Sequence, residues 1–454
     1  MEISQPKNQK ANLITAIPGK KSQQIRNEED FFIADGLQGF ALMAGIVVES
    51  ARGNIIKDVD GNEFLDIIGG IGVNGLGHSH PKFVKAITDQ VAKSSVGSFT
   101  TESRLEFFKL IDSVKLGNLN RVQLYSSGSE AVESALRLAK NKTGKWEMVS
   151  FSGGFHGKTH GALSLMGSDF KKSYGPYAPG VNIIPYANCY RCSLNTTYPG
   201  CGMACLEVGR SHLKANIGSG VAAFIVEPVQ GTAGNIIPPK EFLPGVKAIA
   251  QEFDALMISD EMITGFGRTG TFWGAEQSGV IPDIMTIGKQ FGGGFPVSGV
   301  VSTDQLIKVR PWGNPSGSSS SYGGNPLASA AARASTQIII EEHLVENSKK
   351  MGAYFLEKMK PFTDQYSFVG EVRGVGLMLG IEMVKDKKTK EPLSKNATNW
   401  IFTEFLNQGL LTMAYASSFR IQPAMTIDRD TIDNIVAIMQ VVFDRVEEKR
   451  IKDI

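Results

Sequence analysis

Between about residue 80 and residue 325 the chain alternates short apolar runs with stretches of helical spacing. VQLYS (122–126), EMVSF (147–151), VNIIPY (181–186), AAFIVEP (222–228), ALMISD (255–260), DIMTIG (283–288) and SGVVS (298–302) read as strands. ESALRLAKNKTG (133–144) and FLPGVKAIAQEFD (242–254) place apolar residues at the i, i+3, i+4 repeat of a helix. Apolar strands alternating with helices predict a mostly parallel sheet covered on both faces, an α/β fold. Ligands in such sheets bind beyond the strands' carboxyl ends, so the residues just after each run are where chemistry is expected.

The flanks differ. Residues 1–45 read as a weakly ordered arm with a helical stretch, NEEDFFIADGL (27–37). GIVVESARGNIIKDVDGNEFLDII (45–68) alternates polar and apolar positions, and its Asp60-Gly61 pair is a hairpin turn signal. After a helix over 327–341 the pattern turns to strand-like VRGVGLMLGIEMV (372–384) and helices near 397–408 and from about 429. The expected division is an arm and part of a small domain in 1–75, a large α/β domain in 76–330, and a small α+β domain in 331–454.

Composition trims the possibilities. At 454 residues the chain exceeds one simple core. A net charge of +2 gives no electrostatic case for nucleic acid or a membrane surface. No run reaches the ~18 uninterrupted apolar residues of a spanning helix, and the polar start lacks a signal-peptide core, so the expected compartment is the cytoplasm. The glycines cluster in short loops after the apolar runs, the arrangement that cradles small ligands.

Lys289 follows the run ending at Ile287 and precedes Gly292, Gly293 and Gly294. Such a lysine either snorkels to water or leaves it to act as a neutral amine. After 122–126, Ser127 and Glu130 have capping-box spacing, while Gly128 and Ser129 place N–H groups and a hydroxyl at a helix start, where a phosphate can bind. Phe155 and His156 lie between glycines after 147–151, as a core aromatic or one that stacks on a flat ring. Glu227 and Asp260 each end an apolar run, as helix caps or as buried carboxylates needing a cationic partner. A ring cofactor with an aldehyde, a phosphate and a protonatable nitrogen would satisfy all of these groups, which points to pyridoxal phosphate.

With DEMITGFGRTG, TIGKQFGGGFPVSG, SSGSEA, GGFHG, VEPVQG, YGGNP and GHSHP in this order, the chain from about 45 to 430 resembles the class III pyridoxal-phosphate aminotransferases. The resemblance implies fold type I and a homodimer with shared active sites, with a tetramer left open. It implies that Lys289 attaches the cofactor and Asp260 faces its ring nitrogen. It gives the phosphate to Ser127, Gly128 and Ser129, and ring stacking to Phe155 with His156 beside it. Ser321 and Tyr322 stand where the family usually has a threonine and an aromatic that reach the partner subunit's phosphate. Met262 replaces a ring-packing valine, and Ile263 a frequent glutamine. Arg420 matches the arginine that grips a substrate carboxylate, and Glu227 the glutamate that pairs with it as a switch. The implied reaction moves an amino group from an ω- or β-amino compound, such as 4-aminobutyrate or a β-aminoacyl-CoA, to a 2-oxo acid such as 2-oxoglutarate or pyruvate. A racemase or epimerase on the same scaffold is the alternative.

All four cysteines, Cys189, Cys192, Cys201 and Cys205, fall in one window spaced C-x2-C-x8-C-x3-C. The spacing fits a zinc or iron–sulfur site, four reduced thiols in a packed surface excursion, or disulfides formed during handling, and no metal ligand is assigned from it.

Overall fold

A computed structural model describes residues 5–454; the first four residues of the expected arm lie outside the described residues. The chain divides into two units, Lys82–Glu346 and a second built from the segments up to Pro81 and from Asn347 onward.

In the second unit the alternating stretch folds as β1 (Val48–Arg52), β2 (Ile55–Asp58) and β3 (Glu63–Asp66), an antiparallel meander. Gly61 takes the turn between β2 and β3 at φ 90°. The helix expected at 27–37 lies earlier, at Lys20–Glu29. Asp60 accepts from the amides of Lys21 and Ser22 at 2.8 and 2.9 Å, anchoring the helix start with a negative charge. Phe31 and Phe32 are 86% and 91% exposed; two adjacent aromatics share no helical face that could pay for burial.

The Lys82–Glu346 unit holds a seven-stranded sheet: β4 (Arg121–Tyr125), β5 (Glu147–Phe151), β6 (Val181–Ile184), β7 (Val221–Val226), β8 (Leu256–Asp260), β9 (Ile284–Ile287) and β10 (Ser298–Ser302). The spatial order is β4-β10-β9-β8-β7-β5-β6, with only β10 antiparallel to its neighbours. β5, β7, β9 and β10 are buried end to end. On β7, Ala223 and Ile225 join one core with Ala135 and Leu138 of the helix Gly128–Thr143. Phe224 and Val226 join the other with Phe242 and Val246 of the helix Phe242–Glu252. Each buried aliphatic or phenyl side chain contributes ~1.5–3 kcal/mol, which is why these strands read as unbroken apolar runs.

The helix Pro326–Glu341 stays with this unit, so the division falls at 346/347 instead of 330/331, and at 81/82 instead of 75/76. It packs on the helix Glu102–Ser113, Ser335 Oγ donates to Gln290 O at 2.7 Å, and Lys82 pairs with Glu342 at 3.0 Å.

Beyond it, the single run expected at 372–384 is a hairpin of β11 (Val369–Val375) and β12 (Met378–Asp386), turned at Gly376 with φ 53°. β13 (Glu391–Pro392) and β15 (Ser418–Ile421) pair with β12, and β14 (Leu410–Leu411) adds in parallel to β3. Helices Lys395–Asn407 and Arg429–Glu448 complete the unit. Among the described residues no helix is long and apolar enough to cross a membrane.

Candidate active site

Because β4, β5, β7, β8 and β9 run in one direction, their carboxyl ends open on one edge of the sheet. Ser127, Phe155, Glu227, Asp260 and Lys289 all lie at or just beyond those ends.

After β4 the helix Gly128–Thr143 begins with Ser127 as its N-cap, whose hydroxyl accepts from Glu130 N at 3.3 Å. The Glu130 carboxylate does not close the expected box on Ser127. It reaches one residue further, to Ser126 N at 3.0 Å. The first-turn amides of Gly128 and Ser129 are thus left to the helix's open, electropositive end. Ser298 Oγ, at the start of antiparallel β10, donates to Ser127 O at 2.6 Å and fixes the loop to the sheet.

The loop after β5 closes on this helix. Lys158 N donates to Ser129 Oγ at 3.2 Å, and Gly157, at φ 126°, passes so near that a Cβ there would meet the same oxygen at 2.2 Å. Phe155 is half-buried, edge-on to Phe170 at 5.7 Å. Its N–H donates to Glu227 Oε1 at 2.9 Å, and the other oxygen, Oε2, accepts from Gly231 N at 3.0 Å.

His156 and Asp260 form the centre. The imidazole Nδ1 lies 2.7 Å from Asp260 Oδ2, both side chains being almost wholly buried. Asp260 Oδ1 accepts from Thr286 Oγ1 at 3.0 Å and Met262 N at 3.2 Å. Burial opposes protonation of His156, but the Asp260 carboxylate, with a smaller contribution from Glu227, more than offsets it and holds the imidazole above its ordinary pKa. Burial also raises Glu227 above the usual carboxylate range, with His156 pulling the other way.

Lys289 opens a short 3-10 turn, Lys289–Gly292, directly after β9, and is half-buried. Its φ of 50° is a conformation that non-glycine residues adopt at a cost and that clusters at functional sites. Gln290 Nε2 holds the turn by donating to Ile263 O at 2.9 Å. The glycines that follow serve this turn: Gly293, at φ 57°, lies against the Phe83 ring, which a Cβ would meet at 2.5 Å. Met262 wedges between the two loops. A Cβ on Gly128 would stand 3.0 Å from its Sδ, and one on Gly288 2.5 Å.

The remaining candidates lie on other elements. Ser321 and Tyr322 are exposed on the loop before Asn325, whose Oδ1 caps the helix Pro326–Glu341 through Ala328 N at 2.8 Å. Arg420 is buried on β15, in register with Gly380, in the other unit. The four cysteines form no disulfide and line one small cavity together with Tyr186. Among the described residues no group of three or more His, Cys, Asp or Glu is arranged to hold a metal ion. Thr286 and Gln290 escaped the sequence reading, although both flank Lys289 in TIGKQ and a polar residue inside a buried strand was a visible signal.

Comparison with known proteins supplies the family. Residues 40–443 match the family described as Aminotransferase class-III. The chain is 32% identical over 416 residues to a leucine/methionine racemase of Thermococcus litoralis, covering 90% of this chain and 93% of the relative. It is 32% identical over 415 residues to a 5-aminovalerate aminotransferase of Pseudomonas putida, covering 89% and 95%. An amine transaminase from an uncultivated Pseudomonas species, solved with pyridoxal phosphate bound, matches with a TM-score of 0.85 and 28% identity over 91% of this chain and 98% of that one. The chain belongs to the class III aminotransferases, enzymes that work with pyridoxal phosphate.

Proposed function

We propose that this enzyme transfers an amino group from an ω- or β-amine, 4-aminobutyrate-like or a β-aminoacyl-CoA, to a 2-oxo acid such as 2-oxoglutarate or pyruvate. The residues at the sheet edge fit the cofactor: a helix start with two outward amides for a phosphate, a buried carboxylate backed by a histidine, and a lysine on a strained turn. Bound there, pyridoxal phosphate supplies an aldehyde and an electron-accepting ring. Lys289 Nζ attaches it and carries the proton to and from the substrate carbon. Asp260 holds a proton at the ring nitrogen, with His156 and Thr286 fixing the carboxylate's charge and orientation. The amides of Gly128 and Ser129 and the hydroxyls of Ser127 and Ser129 would hold the phosphate, Phe155 would cover the ring, and Met262 would pack beside it.

One observation carries the donor class. Gly231 donates to Glu227, and a Cβ on it would meet Ile263 Cδ1 at 2.4 Å. Both Glu227 oxygens are taken by backbone N–H groups, so what this wall offers an α-carboxylate is the Ile263 methyl instead of a cation, and it favours amines whose carboxylate is remote. Arg420 is assigned the carboxylate of the 2-oxo acid. A cytoplasmic homodimer in which the partner's copies of Ser321 and Tyr322 complete the phosphate site accounts for the exposure of that loop.

The test is a single-turnover absorbance scan of the holoenzyme with 4-aminobutyrate, β-alanine, 3-aminobutyrate and its CoA thioester, ornithine, alanine, glutamate and branched α-amino acids, without oxo acid. Conversion of the visible cofactor band to the amine form with an ω- or β-amine is expected. Persistence of the band while an α-amino acid loses its handedness would establish a racemase instead.

A further inference from the structure

We propose that Glu227 is a positioning residue for the loop that carries Phe155 and His156. This inference rests on reading the sheet edge as the cofactor cleft. Glu227 follows β7, Phe155 follows β5, and the two strands are hydrogen-bonded neighbours, so their loops leave the sheet side by side. The carboxylate bridges them: one oxygen takes Phe155 N at 2.9 Å, the other Gly231 N at 3.0 Å. A second stitch runs parallel to it, Gln230 Nε2 donating to Ser152 O at 2.8 Å. Just past β6 the Tyr186 hydroxyl donates to Glu227 O at 3.1 Å and Pro228 O at 3.3 Å, fixing the backbone from which the carboxylate projects. Every one of these groups is held in place by the fold of a single unit.

The chemistry explains why an acid is needed. A carboxylate accepts at both oxygens and so satisfies two N–H donors at once. The isosteric amide accepts at one end only, and its NH2 would face a backbone N–H at the other. A buried carboxylate beside this loop also favours the protonated form of His156. Glu227 therefore sets where the Phe155 ring lies and how firmly the histidine backs Asp260, for every substrate alike. This is a different task from gating an arginine, which would alter the ranking of donors.

The two roles separate in the holoenzyme of Glu227→Gln. As a positioning residue, its loss speeds cofactor release about three- to tenfold. It also moves the pH midpoint of the visible cofactor band downward by up to about one unit, since a nearby negative charge has gone. The ratio of kcat/KM between donors with and without an α-carboxylate stays put. Unchanged release and midpoint together with a changed donor ratio would overturn the proposal. Glu227→Asp, which keeps the charge and shortens the reach, is expected to speed release without moving the midpoint, and far-UV circular dichroism of both variants reports their folding. Cofactor release and the band's pH midpoint are read without any substrate, so their outcome is independent of whether the enzyme proves to be a transaminase or a racemase.

Discussion

The end of β8 carries two buried carboxylates in succession, and they serve two different regions. Asp260 faces the sheet edge, where it meets a histidine, a threonine from β9 and one backbone amide. Glu261 faces the loop that follows, where it accepts from Gly274 N and Ala275 N, both at 2.8 Å, from Ser259 Oγ at 3.2 Å and from Thr264 Oγ1. All four of Glu261's donors are neutral, and burial raises its pKa. One acid is coupled to another titratable group and has work to do outside itself. The other is closed off by groups that do not titrate and pins a loop. Both are buried carboxylates, so the nature of the partners is what separates a reactive group from a structural one.

The largest effect expected to sharpen this contrast comes from Asp260→Asn, which should lower kcat by about 10² to 10⁴-fold while the chain keeps its far-UV spectrum. Activity that merely tracked the folded fraction would erase the distinction. Glu261→Ala should do the reverse. It leaves two amides and two hydroxyls without their acceptor, costing about 3 kcal/mol in urea denaturation, with kcat per folded chain little changed.

A smaller effect concerns His156. Its pKa is raised in the folded state, so the stability from its pairing with Asp260 is complete below the unfolded value of about 6.5 and is lost as pH rises through the higher folded value. The urea-midpoint advantage of the wild type over His156→Gln should therefore be greatest near about pH 6 and shrink toward about pH 9. A pH-independent difference would make Asp260's neighbourhood as inert as that of Glu261. Smallest of all, Met262→Val should cost about 1 kcal/mol by opening the gap between Gly128 and Gly288, with cofactor release quickened less than in Glu227→Gln.

Much of this was legible in the chain because the sheet's strands are buried on both faces. β4 through β10 could be read within a residue or two, and the polar residues that end them were visible as exceptions. Elsewhere packing overrode local pattern. A helix was expected over 27–37, but it sits earlier, where Asp60, distant in sequence, can hold its first turn. Gly376 was read as part of one long strand because a tight hairpin turn between two apolar strands leaves the run almost continuous. Within the site, Lys289, Asp260 and Phe155 stood out by position. The polar Thr286 was visible, but its pairing with Asp260 on the neighbouring strand and that of Gln290 with Ile263 join segments distant in sequence, while Glu130 had capping-box spacing and yet reaches Ser126 instead of Ser127.

Tyr186 stands in two places at once. Its ring lines the cavity of the four thiols, and its hydroxyl holds the backbone of Glu227. Every cysteine of the chain lines that cavity, and the Thr196 hydroxyl lowers the pKa of Cys192, which raises its thiolate fraction for alkylation. A fluorophore attached there would occupy no part of the sheet edge, yet only one aromatic ring would separate it from the strand end that carries Glu227. The native sequence thus comes with an attachment point for an optical reporter of the cleft, with no engineered cysteine required.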